Sequence, residues 1–220
     1  MIFFLDAHGT KCASYLAVEH VRPALVETIQ VLCDTTRLII DECRITSMER
    51  KMRDAKIEVK DEKHWMELEA LIPRPQKNVD DPLVSWALID QDAWDWLLGF
   101  STDLVDEIRN CFSRSIEDES RAVSWLRLFA PRPVHTGRVL RRSTVFPLPE
   151  RYPKEFVTPD LFLNDVPDSV KNDLTVRAYR LMYWTKYRNT VRFTKTRRPW
   201  WWDSLENTKG SILASDSLDK

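Results

Sequence analysis

Arginine and aromatic side chains gather toward the carboxyl end of the sequence, in a pattern that suits binding to an anionic or apolar partner. Between Lys171 and Arg198 the chain has nine basic residues and a single acidic one, Asp173. Arginines interleaved with aromatic rings can stack on bases and neutralise phosphates, so RNA binding is one interpretation. The same residue types suit an anionic membrane surface or a protein partner, where Trp, Tyr and Arg are common anchors.

A plainer interpretation makes this segment an ordinary helix with a basic, solvated face. Tyr179, Tyr183 and Tyr187 recur every four residues. Residues spaced in this way lie on one face of a helix, so they could form a core-facing stripe.

Three consecutive tryptophans, Trp200, Trp201 and Trp202, follow Arg197, Arg198 and Pro199. Consecutive helical residues point about 100° apart, so three indoles cannot share one face. We therefore expect the tryptophans to meet two surfaces, their own domain and a partner or bilayer. Replacing all three by alanine should then release the protein from its assembly and leave the N-terminal fold intact.

Catalytic signatures are missing from the sequence. His8, His20, His64 and His135 are scattered and form no HExxH motif, and no GxSxG motif occurs. Only four glycines are present, which disfavours glycine-rich phosphate loops. A metal site assembled from distant positions is the alternative that remains. The sequence predicts no enzyme, no catalytic residue, no cofactor and no resident metal.

Glu58, Val59 and Lys60 resemble the closing half of a PD-(D/E)xK nuclease site. In such a site carboxylates hold a metal and the lysine polarises the attacking water. The Pro-Asp pair that should precede them is absent upstream, since Pro159-Asp160 lies far downstream. A solvated Glu-x-Lys face is the favoured interpretation.

The four cysteines show no CxxC spacing of a zinc or redox site. Cys33 and Cys43 are separated by nine residues, half of a twin C-x9-C pattern whose other half is missing. The sequence therefore predicts buried, reduced thiols.

Hydrophobic periodicity predicts a mainly α fold whose elements must position these residues. Residues 14–53 and 83–100 follow helical spacing, and Ser101 or Thr102 is a candidate cap for a helix that restarts there. Ser115 and Asp118 resemble a capping box that opens the helix carrying Trp125, Leu126 and Phe129. Residues 56–72 are ambiguous between strand and helix, and prolines predict a loop over 72–82.

Charge and proline content divide the chain into regions. Residues 1–130 carry 16 basic and 24 acidic side chains, and residues 131–220 carry 17 and 10, although the whole chain has a net charge of −1. We predict an acidic helical body over 1–130, with a possible short hairpin near 56–72. A proline-rich extended arm over 131–158, a basic docking segment over 159–208 and a loose tail over 209–220 would follow it. Within the docking segment, helices should start at Thr158-Pro159 and near Asp165–Asp168, the second running to about Asn189.

The segment from Val166 to Trp184 resembles the central motif of the small matrix-side subunit of the mitochondrial cytochrome bc complex, the ubiquinone-binding-protein family. The matching positions are Pro167, Asn172, Asp173, Arg177 and Arg180. Displaced matches to the family's later proline, tryptophan and acidic residues are Pro199, Trp200, Asp203 and Glu206.

The resemblance covers about residues 147–206 and departs from the family at Val166, where a leucine is usual. The residues ahead of the arm have no counterpart in the family. The resemblance implies a non-catalytic helical subunit at the matrix face of the inner membrane, packed on cytochrome b and a core subunit, and it carries over no catalytic residue.

The sequence thus favours a non-catalytic accessory or scaffold subunit of a large assembly, and the resemblance implies a mitochondrial respiratory-chain complex of electron transport. Its expected partners are other subunits and anionic phospholipid, without a small-molecule substrate, a secretory signal or a transmembrane span. An RNA-binding or ribosome-associated protein is the alternative. The residues expected to dock are Arg177, Arg180, Tyr183, Trp184, Arg188, Arg197, Arg198, Trp200, Trp201 and Trp202.

Overall fold

The structure is a computed structural model that describes residues 2–54, 81–89, 91–111, 115–133, 146–147, 167–191, 193 and 198–205. The chain is mainly α, as its periodicity predicts, and the described residues contain no strand. Several predicted segments lie wholly or largely outside the described residues. They are the possible hairpin at 56–72, the loop at 72–82, the proline-rich arm, the helix start at Thr158 and the tail beyond 209.

Six helices are defined in the described residues: α1 (Gly9–Ser14), α2 (Val18–Asp54), α3 (Pro82–Ile89), α4 (Gln91–Cys111), α5 (Glu117–Phe129) and α6 (Asp168–Tyr187). A further helical turn covers residues 200–205. The helices predicted over 14–53 and from Asp168 are confirmed as α2 and α6. None of these helices combines the length and apolarity that a membrane crossing needs.

Two predicted helix caps are wrong. Helix α4 runs through Ser101 and Thr102, and both hydroxyls donate hydrogen bonds back to the carbonyl oxygen of Leu98, at 2.8 and 2.9 Å. Because each hydroxyl is hydrogen-bonded to a carbonyl of its own helix, it does not cap a new helix, and α4 continues.

Helix α5 starts at Glu117 after Ile116, which makes no side-chain cap bond, so the predicted capping box at Ser115 is absent. Acidic residues in the first turn of α5 favour that helix terminus electrostatically instead.

The chain divides into two compact units. A terminal unit joins Met1–Ala24 to Val145–Lys220, and a central unit spans Leu25–Thr144. The boundary at Ala24 falls within α2. In the terminal unit, therefore, the first residues of the chain share one core with its last helices.

The central unit is built from neighbouring helices, with α3 packed on α4 and α4 packed on α5. Its buried side chains include Trp94, Leu97, Leu104, Ile108, Val123 and Leu126. On α4 these positions recur at three- and four-residue spacing, so one stripe of the helix is buried. Trp96 adds a stacked contact to Phe100, with ring centroids 5.0 Å apart.

Candidate docking site

Helix α6 of the terminal unit presents its tyrosines to the amino-terminal segment of the chain. The ring of Phe3 meets Tyr179, Tyr183 and Tyr187 edge-on, with centroid separations of 6.5, 4.8 and 5.9 Å. Tyr179 and Tyr183 are buried and Tyr187 is partly exposed. The interpretation of these tyrosines as a core-facing stripe is therefore confirmed for the first two.

The hydroxyl of Tyr183 is satisfied inside the core of the terminal unit. It accepts a hydrogen bond from the backbone N–H of Ala17 at 2.9 Å and lies 2.6 Å from Nδ1 of His20. With His20 neutral and protonated at Nε2, its Nδ1 accepts the proton of the Tyr183 hydroxyl. Burial raises the pKa of Tyr183 well above its usual value, so the phenol stays protonated.

Arg180 lies on the same helix and is held within the unit. Its Nε donates to the carbonyl oxygen of Leu5 at 2.8 Å, and a terminal nitrogen pairs with the Asp6 carboxylate at 3.2 Å. The two side chains of this ion pair are only 16% and 15% exposed. Burial lowers the pKa of Arg180 and the charge of Asp6 acts in the opposite direction. Arg180 is thus a fixed, internally paired cation.

The Arg180 guanidinium also sits beside three aromatic rings, those of Tyr15, Trp200 and Trp201, at 6.0, 5.6 and 5.6 Å from their centroids. Such distances lie within the range of cation–π attraction. One charged group therefore links the first residues of the chain, helix α6 and the tryptophan run.

The three consecutive tryptophans have two different environments. Trp201 and Trp202 are each 3% exposed, whereas Trp200 is 66% exposed. Trp202 packs on Tyr183 and Phe193, with centroids 6.1 and 4.8 Å away, and Trp201 contacts Tyr15 at 6.2 Å. Two indoles thus belong to the core of the terminal unit and one faces solvent. The triple alanine substitution would remove core as well as surface, so Trp200→Ala alone is the cleaner test of docking.

The other predicted docking residues also divide between core and surface. Trp184 is buried, and the exposed guanidinium of Arg188 lies 4.7 Å from the centroid of its ring. Arg177 and Arg198 are exposed and pair with Asp173 and Asp203, at 2.8 and 2.7 Å. Arg197 lies outside the described residues.

Asn172 binds a backbone group within the terminal unit. Its Oδ1 accepts a hydrogen bond from the N–H of Phe146 at 2.9 Å. The hydroxyl of Tyr179 donates to the carbonyl oxygen of the next residue, Pro147, at 3.0 Å. The ring of Phe146 stacks on Phe4 at 4.5 Å. These contacts attach the described residues 146–147 to α6 and to the start of the chain.

Sequence reasoning missed the contribution of the opening MIFFLD. Ile2, Phe3, Phe4 and Leu5 are all buried, and Asp6 partners Arg180. The available signal was the density of large apolar side chains at the start of the chain. The carboxylate that complements the basic helix comes from these residues, more than 170 positions away.

Cys12 is buried in the same core and is not a nucleophile. Its Sγ donates to the carbonyl oxygen of Phe3 at 3.0 Å and accepts from the N–H of Leu5 at 3.2 Å. Burial raises the pKa of the Cys12 thiol to about 12, so the thiolate is not formed near neutral pH. Cys33 is likewise free and buried. The expectation of buried, reduced thiols is confirmed for these two cysteines.

Across the described part of the chain, no cluster of three or more His, Cys, Asp or Glu side chains is placed to hold a metal ion. Among the described residues of the terminal unit, the charged and aromatic side chains are engaged mainly with one another, and Trp200 is the most exposed of the large apolar side chains.

No protein-family model, no curated protein sequence and no solved structure matches this chain.

Proposed function

We propose that the protein is a non-catalytic accessory subunit that docks to a protein partner through the Trp200 surface, meaning the exposed indole of Trp200, the Arg180 guanidinium beside it and the neighbouring Arg198–Asp203 pair. The observation that carries this proposal is the 66% exposure of Trp200, next to two tryptophans that are 3% exposed. Because the indole of Trp200 is exposed, the free energy of burying its apolar surface is not gained in the isolated protein. A partner that covers the ring would recover that free energy.

The Trp200 surface is pre-organised for binding. Arg180 is fixed by the Leu5 carbonyl and by Asp6, and it lies 5.6 Å from the centroid of the Trp200 ring. A side chain whose neighbours are already ordered loses less conformational entropy when it is covered. Trp and Arg also dominate the energetics of protein interfaces.

Charge pairing favours a protein partner over RNA or an anionic bilayer. Arg177, Arg180 and Arg198 each pair with an aspartate of the same unit. Binding to a phosphate-rich partner depends on the number of cations free to replace counterions. The sequence has a strong local excess of basic residues, and these pairs offset part of it.

We further propose, from the motif resemblance over residues 147–206, that the assembly is a mitochondrial respiratory complex and that the protein lies at the matrix face of the inner membrane. The support for this finer proposal is the ungapped match at Pro167, Asn172, Asp173, Arg177 and Arg180. Neighbouring subunits are then the expected partners, with anionic phospholipid at the edge of the contact.

The proposal is tested by the native mass of the protein extracted from its own cells in mild detergent, with the co-migrating chains identified. Wild-type protein should migrate in a large particle, and Trp200→Ala should shift it to the free chain, since truncating an interface anchor weakens binding by about 30-fold or more. Val170→Ala is the matched control because Val170 is an exposed apolar residue of the same unit. It should leave the particle intact.

Two outcomes would contradict the proposal. If Trp200→Ala stays in the particle as fully as Val170→Ala does, the indole is not an anchor. If the wild-type particle collapses on ribonuclease treatment, the partner is RNA. Respiratory subunits among the co-migrating chains would support the mitochondrial assignment, and a particle without them would remove it.

A further inference from the structure

A second surface lies in the central unit, in the groove between α4 and α5. The groove has a volume of about 340 Å³ and is lined along its length by side chains from both helices. It shares no residue with the Trp200 surface, and its function is independent of the function proposed above.

Two arginines cross this groove in opposite directions. Arg127 of α5 donates to the hydroxyl of Thr102 on α4 at 3.1 Å, and Arg109 of α4 donates to the hydroxyl of Ser120 on α5 at 2.6 Å. The pairing shows that the two helices run antiparallel. On each helix the two positions are seven residues apart, two turns, so the crossings are separated by about 10 Å along the groove.

The arginines keep much of their capacity to bind an anion. Both are exposed, and the hydroxyls that they contact are neutral. Asp106 is the acidic residue that lines the groove, and it lies 4.0 Å from Arg109 at an exposed site. Exposed pairs of this kind contribute little, so an incoming carboxylate can compete with it.

The floor of the groove is apolar and continues into an exposed apolar patch. Val105 and Val123 line the groove and are nearly buried. Leu128 at its edge is 70% exposed, and the adjacent Phe129 is 60% exposed at the end of α5. Two large neighbouring apolar side chains left in solvent are typical of a contact surface.

We propose that this groove receives an amphipathic helix of a partner protein that carries two acidic residues seven positions apart, with apolar residues between them. Residues seven apart in a helix lie on one face and about 10 Å from each other, which matches the two arginine crossings. The apolar residues at the intervening positions would lie over Val105 and Val123, and the end of the helix would cover Leu128 and Phe129. The two arginines favour a partner helix with acidic residues. The apolar floor favours a partner that also has an apolar face over a purely ionic ligand.

The probe is a fluorescently labelled synthetic helix of about five turns, with glutamates at positions i and i+7 and leucines at i+3 and i+4, titrated with the full-length protein and followed by anisotropy. The comparison peptide has the same composition with its glutamates five apart, which puts them about 140° apart around the helix. We expect saturable binding of the first peptide and at least tenfold weaker binding of the second.

Arg109→Gln and Arg127→Gln should each weaken binding by about tenfold or more, because each removes a charge-assisted hydrogen bond to a glutamate of the peptide. Arg121→Gln is the matched control, since Arg121 is an exposed arginine of α5 that does not line the groove. Leu128→Ser should weaken binding through the apolar patch alone. Trp200→Ala should leave peptide binding unchanged, which separates this site from the Trp200 surface.

Equal affinity for the two peptides, or equal losses from Arg121→Gln and Arg127→Gln, would overturn the proposal. Absence of binding to the first peptide would overturn it as well. If an equimolar linear aliphatic dicarboxylate displaces the bound peptide, the groove is a site for small dianions and the proposal of a helical partner is overturned.

Discussion

The terminal and central units bury their side chains in different ways. In the central unit the packed helices are neighbours in sequence, α3 on α4 and α4 on α5. In the terminal unit, Tyr183 binds Ala17 across 166 positions and Arg180 binds Leu5 across 175. The first core is largely aliphatic, and the second is built from aromatic rings joined by hydrogen bonds and one ion pair.

This difference shows where a single substitution should act most strongly. An aliphatic core depends on volume, and neighbouring side chains can relax around a loss. A core of hydrogen-bonded aromatic rings also depends on polar partners, because a buried group left without its partner costs the desolvation of that group. The terminal unit should therefore respond to changes of charge and pH as well as to changes of volume.

The largest expected effect distinguishes buried from exposed tryptophan within one run. Trp202→Ala should lower the free energy of unfolding of the terminal unit by about 3–5 kcal/mol, because it removes a large side chain from the core. Trp200→Ala should lower it by only about 0.5–1 kcal/mol, the contribution of an exposed cation–π contact. Urea denaturation of both variants measures the difference, and equal losses would show that the environments of the two indoles are alike.

A smaller effect is expected from the acidic partners of the arginines. Asp6→Asn should destabilise the terminal unit by about 1.5–3 kcal/mol, because it weakens a largely buried hydrogen-bonded ion pair with Arg180. Asp173→Asn removes the partner of Arg177 at an exposed site and should cost less than about 1 kcal/mol. The same denaturation measurement compares them. A larger loss for Asp173→Asn would contradict the assignment of Arg180 as the structural cation.

The smallest expected effect concerns pH and the link between His20 and Tyr183. Burial lowers the pKa of His20 below its usual 6.5; the charge of Glu19 opposes this shift, and that of Lys186 adds to it. The folded state therefore favours neutral His20, and the contribution is complete above pH 6.5 and lost as the pH falls below that value. His20→Gln should flatten the dependence of stability on pH between about 7 and 5. An equal response from His8→Gln, a substitution at an exposed position, would exclude His20 as the source of the pH dependence.

Much of the helical architecture could be predicted from sequence, because apolar periodicity is a local signal. The helices α2, α5 and α6 lie close to where the sequence predicts them, whereas the helix predicted over 83–100 corresponds to two helices, α3 and α4, and α4 continues to Cys111. The predicted cap at Ser101 was wrong for a local reason. A hydroxyl that can bond back to a carbonyl within the helix has an alternative to capping, and composition cannot show which alternative is taken.

The candidate site was only partly predictable, because its partners are distant in the sequence. The charge pattern singled out Arg180, but nothing near Arg180 in sequence indicated Asp6, Leu5 or Tyr15 as the groups around it. Because the three tryptophans are consecutive residues, the sequence predicted that their indoles would face different surroundings. It could not tell which one would be exposed, since that depends on where Tyr183 and Phe193 lie.

The pairing of the chain's first residues with its last helices has a consequence for synthesis on the ribosome. Phe3 and Phe4 are made before the central unit, yet the rings of Tyr183 and Trp202 that complete their core are made almost two hundred residues later. At 5–20 residues per second this delay is on the order of 10–40 s. The central unit can fold during that time, whereas Ile2, Phe3, Phe4 and Leu5 stay without the rings that bury them until the terminal unit is complete.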